Sequence, residues 1–468
     1  MNSPLPPSRQ TWLDRLGLVG FAAIEPVLLA ALVTASPLLL IGAHGTAKTL
    51  LLTRVAQALG LAFRHYNASL LNFDDLVGFP VPGKDGCLQY MQTPASIWGA
   101  GAVIFDEISR CRPDIQNKLF PIIHERRVQG ILLEGLRYRW AAMNPPSTDD
   151  DDNGYAGSEP LDAALADRFA FVVEMPAWSG FSAEEQLAVI QAQDQPIQAE
   201  DGERLQMLIN RTEQLLSTMP SEFSAAMAQY VHMVMALLGQ AGILLSPRRA
   251  NMLYRATLAV NAASQAMDPN ADLSDATLLA LRSNLPSKAQ GLVLPEIKIL
   301  AAHKEAMRSM DLKANDPMRL IMCTNNALER LKLAVKAKKL SKADFSQVVA
   351  DALAQLGAGS REAAIVHLFE TGAVGRLNAA IAAQSGEVYR DLATPPAFSE
   401  TLHATNPRYS TWGRVKDLLS KLNPSEPRAH LLANAMAALF AKKKLQTPQD
   451  AERAFDAFVK TDKEMSLV

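Results

Sequence analysis

The sequence predicts an α/β fold, a parallel sheet flanked by helices, followed by a long stretch that is helical throughout. Three observations carry this. Apolar runs of four to six residues alternate with amphipathic helical stretches in the first part of the chain. That is the pattern of buried parallel strands joined by crossover helices. The strand pattern stops after Met175. One strand-to-helix joint, Gly42–Thr49, carries the glycines, lysine and threonine of a phosphate-binding loop.

Taken in order, the expected strands are Leu38–Gly42, Ala62–Tyr66, Ala102–Phe105, Tyr138–Met143 and Ala170–Val173. Helical periodicity lies between them, as in Thr49–Leu59 and Arg112–His124. Phe79–Met91, with Pro80, Pro82, Gly83 and Gly86, reads as a hairpin or extended loop, and Arg127–Leu136 as two short strands around a turn. Beyond Met175, helices run on with breaks at Pro196, Ser246-Pro247, Pro269, Pro286 and Pro295. Lys332–Lys342, with five lysines, reads as the solvated face of a helix, and Asp149–Asp152 as a solvated loop. The expected domains are an α/β nucleotide-binding domain over 1–178, a helical lid over 179–284 and a helical C-terminal accessory domain over 285–468.

Composition excludes several classes. Of 468 residues, 49% are hydrophobic and 20% charged, which excludes global disorder. Cys87, Cys111 and Cys323 form no C-x-x-C pair, so neither a disulfide framework nor a structural zinc site is expected, in keeping with the cytoplasm. The opening MNSPLPPSRQ lacks the charged-then-apolar order of a secretory leader. Pro26–Gly42 is free of charge, but it is short for a membrane span and Pro37 divides it. The formal net charge is −2, yet residues 1–284 hold 20 basic and 29 acidic residues while 285–468 hold 26 and 19. The basic extension is therefore expected to dock an acidic protein surface.

In the loop, Gly42-Ala43-His44-Gly45-Thr46-Ala47-Lys48-Thr49, main-chain N–H groups can point at phosphate oxygens beside a helix N-terminus. Lys48 would reach the β- and γ-phosphates and the Thr49 hydroxyl would ligate Mg²⁺. The general pattern has Gly before the lysine. Here Ala47 stands there, which is accommodated if its φ stays negative, as at a helix start. Downstream, Gly101–Phe105 is an apolar strand ending in Asp106 and Glu107. Acids at the C-terminal end of a parallel strand border the ligand crevice. Asp106 can hold Mg²⁺ and Glu107 can polarise an attacking water.

GAHGTAKT, VIFDEISR, AAMNPP and LADRF follow one another in the order seen in AAA+ ATPases. From about residue 16 to about 265 the chain resembles the MoxR-like branch of that family, with its NorQ/CbbQ and RavA types. Alanine before the lysine is common in that branch. Asn72–Gly78 resembles the segment that opens the branch's helix-2 insert, and Arg127–Leu136 its pre-sensor hairpin.

The resemblance implies a P-loop core, a lid, and ATP with Mg²⁺ as cofactors. Gly42 to Leu50 would bind the nucleotide, with Thr49 and Asp106 at the metal and Glu107 as base. Asn144 resembles sensor 1, although an Asn before Pro145 can also simply end a strand. Arg168 resembles the arginine finger that reaches a neighbouring subunit's nucleotide, the alternative being an ion pair with Asp167. Arg248 aligns with sensor 2, the lid arginine at the γ-phosphate, with Arg249 as runner-up.

The resemblance further implies a hexameric ring that remodels or activates a client protein, such as a metalloenzyme, together with a separately encoded von Willebrand A-domain partner. Two other classes stay open: a DNA-acting motor or loader, and a nucleotide-gated scaffold with little hydrolysis. One lysine against three aspartates in Asn72–Met91 argues against a grip on nucleic acid. Intact Glu107 and Arg168 argue against the scaffold.

Overall fold

A computed structural model of the chain describes residues 11–82, 88–146, 158–192, 196–310, 312, 316–395, 403, 406–423, 425 and 428–467. The Asp149–Asp152 run and Cys87 lie outside them. The chain divides into two compact units, Met1–Met310 and Asp311–Val468.

The first unit opens with α1 (Trp12–Arg15) and α2 (Glu25–Val33), which leads into β1 (Leu38–Ile41). There follow α3 (Lys48–Ala58), β2 (Phe63–Asn67), α4 (Phe73–Val77), a hairpin of β3 (Phe79–Pro82) and β4 (Leu88–Met91), and β5 (Ala102–Asp106). Then come α5 (Pro113–Glu125), a second hairpin of β6 (Arg127–Val128) and β7 (Ile131–Leu132), β8 (Tyr138–Met143), α6 (Ala163–Ala166) and β9 (Phe171–Glu174). From there the unit is helical: α7 (Ala183–Gln191), α8 (Ala199–Ser217), α9 (Ser221–Gln240), α10 (Pro247–Met267), α11 (Leu273–Ser283) and α12 (Glu296–Ser309). The expected breaks at Pro196 and Ser246-Pro247 each separate two helices. One further break, between Ser217 and Ser221, was not expected.

Five parallel strands lie in the order β2-β5-β8-β1-β9. Successive side chains of a strand face opposite ways, and the core follows that alternation. Leu38 and Leu40 join one apolar cluster with Ile104, Trp140 and Phe171, while Leu39 and Ile41 join the other with Val103, Phe105 and Val172. Both faces of the sheet are thus covered, which is why its strands read as unbroken apolar runs.

On one face α10 packs against α2, and α8 packs against α3. The α8–α3 approach is close enough that a Cβ on Gly202 would lie 2.4 Å from the Ala58 carbonyl oxygen. Residues 285–310, expected in the C-terminal extension, belong to the first unit, because α12 packs against α9. The boundary therefore falls near 310 rather than 284. The charge imbalance survives the move, with 24 basic and 31 acidic residues before Asp311 and 22 and 17 from there on.

The second unit holds α13 (Pro317–Met322), α14 (Ala327–Lys336), α15 (Lys342–Gln355), α16 (Ser360–Glu370), α17 (Ala379–Ala393), α18 (Pro407–Ser420), α19 (Ala429–Ala441) and α20 (Pro448–Met465). The lysine run Lys332–Lys342 is not one helical face. Helix α14 ends at Lys336, and Lys332 is largely covered, paired with Glu329 at 2.8 Å and Glu464 at 3.7 Å. No helix among the described residues is long and apolar enough to cross a membrane.

Candidate functional site

The strand order places the ends of β5, β8 and β1 side by side. Their C-terminal edges present Asp106 and Glu107, Asn144, and the Gly42–Leu50 loop to one crevice. This is the edge at which open parallel sheets bind ligands.

The loop is fixed from within. Gly42 donates its N–H to Met143 O, and a Cβ there would sit 2.7 Å from both Met175 and the Thr46 hydroxyl. Thr46 Oγ1 donates to Ala43 O at 2.7 Å. The N–H groups of Gly45, Ala47, Lys48, Thr49 and Leu50 have no main-chain acceptor among the described residues. They form the orphan donors of a helix start, which favour an anion.

Lys48 is buried. Its ammonium donates to Gly42 O (2.7 Å), Ala43 O (2.8 Å) and Asn144 Oδ1 (3.0 Å). Burial pulls its pKa below the usual lysine value, against the pull of Asp106 and Glu107. A phosphate would give this cation and these donors the negative charge they lack, so the residues present fit a nucleotide.

Ala47 departs from expectation. Its φ is +60°, in the left-handed region. The loop has to reverse before α3 so that its N–H groups converge, and that geometry overrides the alanine's preference at roughly 1–2 kcal/mol. Glu107 shares the conformation, with φ +54°. Two strained non-glycine residues thus flank one crevice, a pattern that marks functional sites.

Thr49 Oγ1 donates to Asp106 Oδ2 at 2.7 Å, and the Glu107 N–H donates to Asp106 Oδ1 at 2.9 Å. His65 Nε2 stands 3.5 Å from Asp106 Oδ2. Burial raises the Asp106 pKa, but hydrogen bonds from His65, Thr49 and the Glu107 N–H outweigh it and hold the carboxyl below its usual range. His65 was not singled out in the sequence, and only the β2–β5 register, which pairs Asn67 with Asp106, brings it there. No group of three or more His, Cys, Asp or Glu side chains fit for a metal occurs among the described residues. Thr49 and Asp106 can therefore supply two ligands to Mg²⁺, the rest coming from phosphate oxygens and water. Glu107 Oε2 lies 3.1 Å from Arg110 Nε, although its angles make no hydrogen bond.

The arginines lie at the other edge of the sheet. Arg168 precedes β9 and lies over the Phe120 ring at 4.5 Å, with Nη1 donating to Ala164 O. It makes no ion pair with Asp167. That carboxylate instead accepts from Ser246 Oγ, Arg248 and Arg249. Arg249 is wholly buried and spends its donors on Asp167, Phe169 O and Asn284 O, so it holds α10 to the sheet.

Arg248, expected as the sensor-2 arginine at the γ-phosphate, does not stand at the crevice of its own phosphate loop. It lines a cavity with Thr34–Pro37, the residues that enter β1. The loop leaves β1 at the opposite end, about 13 Å along a four-residue strand at roughly 3.3 Å per residue. The cause is the packing of α10 on α2, which sets the start of α10 over the edge where the strands begin.

Residues 37–169 match a family model described as AAA domain (dynein-related subfamily). Matching solved structures include a candidate ATPase from Cytophaga hutchinsonii, at 19% identity and a TM-score of 0.44, covering 64% of this chain and 92% of that one. No curated protein matches the chain. Residues 37–169 thus form an AAA-type domain, built on the parallel sheet and phosphate loop described above.

Proposed function

We propose that the chain is a MoxR-type AAA+ ATPase that hydrolyses ATP in a head-to-tail ring, hexameric by family resemblance, and spends the motion on a client protein. The observation that carries this reading is the division of the site. Phosphate-loop and acidic residues stand at one edge of the sheet, and Arg168 and Arg248 stand at the other. A single copy cannot bring them together, whereas a neighbour can.

Gly42 to Leu50 bind the phosphates and Lys48 neutralises them. Thr49 and Asp106 hold the metal, directly or through water. ATP with Mg²⁺ supplies the scissile phosphoryl group and a charge clamp on its oxygens. Glu107 takes the proton of an attacking water that Asn144 orients. Arg168 and Arg248 of the next copy steady the charge that develops on the transferred group. Lys48 must release Asn144 as nucleotide enters, which frees that amide for the water.

The client is proposed to dock on the basic second unit, through an acidic surface. A von Willebrand A-domain protein or a metalloenzyme is the partner the resemblance implies, and the cytoplasm the compartment.

The test mixes subunits. Lys48→Ala and Arg168→Ala chains should each be nearly inactive in phosphate release, and mixing them should restore part of the activity. The absence of rescue at every ratio would overturn a finger that acts between copies.

A further inference from the structure

Away from the phosphate loop, a cavity of about 430 Å³ opens at the edge where the strands begin. Its walls are the turn Thr34–Pro37, the end of α5, the start of β8 and the first turns of α10. The lining includes His124, Arg139, Arg248 and Arg255 and no acid.

Arg139 is 6% exposed, yet its hydrogen bonds go only to main-chain carbonyls. Nε donates to Ile123 O at 3.0 Å, and Nη1 to Ala35 O at 2.9 Å and Arg137 O at 2.6 Å. Among the described residues Nη2 has no hydrogen-bond partner, and the guanidinium has no carboxylate partner. Burial, helped by Arg126, pushes its pKa down to about 10. Burial and then Arg248 and Arg168 push His124 down as well. The three carbonyls hold this guanidinium in place, and Nη2, which is not among the buried atoms without a partner, is left to meet an anion in the cavity. Thr34 Oγ1 gives its one hydrogen to Ala30 O at 2.8 Å, so in the 2.8 Å pair with Ser36 the Ser36 hydroxyl is the donor and its hydrogen is already engaged. The positive end of the 21-residue α10 adds to the field.

We propose that this cavity is an oxyanion site that takes a phosphate group, held by Arg139 and Arg255 with Arg248 on the same lining. It lies a strand's length from the phosphate loop and so takes a different phosphate. Two sources carry that chemistry: free inorganic phosphate, and a nucleotide phosphate presented by a second copy. Only the second rests on the ring reading.

The test uses the full chain with Lys48→Ala, which disables the phosphate loop, and reads melting temperature. Inorganic phosphate should raise it saturably. Arg255→Glu in the same background should abolish that response, and should raise the melting point without phosphate, because the new carboxylate supplies the missing charge. If free phosphate does nothing but ADP-loaded wild-type subunits stabilise the Lys48→Ala chain, and Arg255→Glu abolishes that effect, the site holds and its phosphate comes from a neighbour. The proposal falls if neither probe shifts the parent, or if the Arg255→Glu chain responds as its parent does.

Discussion

Ala47 is strained because the phosphate loop has to turn where alanine does not wish to. Replacing it with glycine removes a left-handed penalty of roughly 1–2 kcal/mol and returns part of that through a freer unfolded chain. Ala47→Gly should therefore raise the unfolding free energy by about 1 kcal/mol in urea titrations. A loss of that size would show that the position is unstrained. Glu107→Gln should keep ATP binding by fluorescence titration while phosphate release falls at least about 100-fold, the usual effect of losing a general base. Side-chain identity was legible at this scale: Lys48, Thr49, Asp106, Glu107 and Asn144 all stand at one crevice, because their chemistry is written in their types and spacing. Backbone sign was not legible. Nothing in the letters Ala47 or Glu107 says that φ is positive, since that is imposed by the loop they close. His65 was equally silent, being brought to Asp106 only by strand register.

Among the elements, the start of α2 carries a titrating switch in stability. Glu25 is buried and accepts the Leu13 N–H at 2.7 Å, and burial pushes its pKa from near 4.5 to about 7. The folded chain thus holds this proton more tightly than the unfolded one. Its contribution is fully present below about pH 4.5 and is lost as pH rises through about 7. Glu25→Gln keeps an acceptor for Leu13 and stays neutral, so its stability relative to wild type should grow by roughly 2–3 kcal/mol between pH 4.5 and 8. Denaturant unfolding at the two pH values measures it, and an unchanged difference would refute it.

In the second unit, Gly359 begins α16 with φ +85°, and a Cβ there would lie 1.9 Å from the Ala454 carbonyl oxygen on α20. Gly359→Ala should cost roughly 3 kcal/mol or more and lower the melting transition of that unit, read by calorimetry. Strands were legible to within a residue or two, since apolar runs act locally, as were the helix breaks at Pro196, Pro247 and Pro269, but not the one at Pro220. The face that α10 packs on was not, because one amphipathic helix can lie against several surfaces. The position of Arg248, at the edge where the strands begin, follows from that packing.

For the molecule as a whole, the proposed borrowing of Arg168 from another copy would tie rate to association. Specific phosphate release should fall as the protein is diluted, and the Arg168→Ala chain should be slower by about 10³-fold at any concentration. A specific activity independent of dilution down to the detection limit, in a chain that sediments as a monomer, would contradict the shared site. The opposed charges of the two units were visible in the sequence, but their border was not. Residues 285–310 carry no break in composition and are claimed for the first unit by the packing of α12 on α9.

The placement of Lys48 and Arg168 at opposite edges of one sheet also has a genetic meaning. In a head-to-tail assembly, a chain that lacks Arg168 keeps its own phosphate loop and disables a loop it does not own. Damage would then pass to a sound neighbour, and a cell holding both alleles would show the defect as dominant.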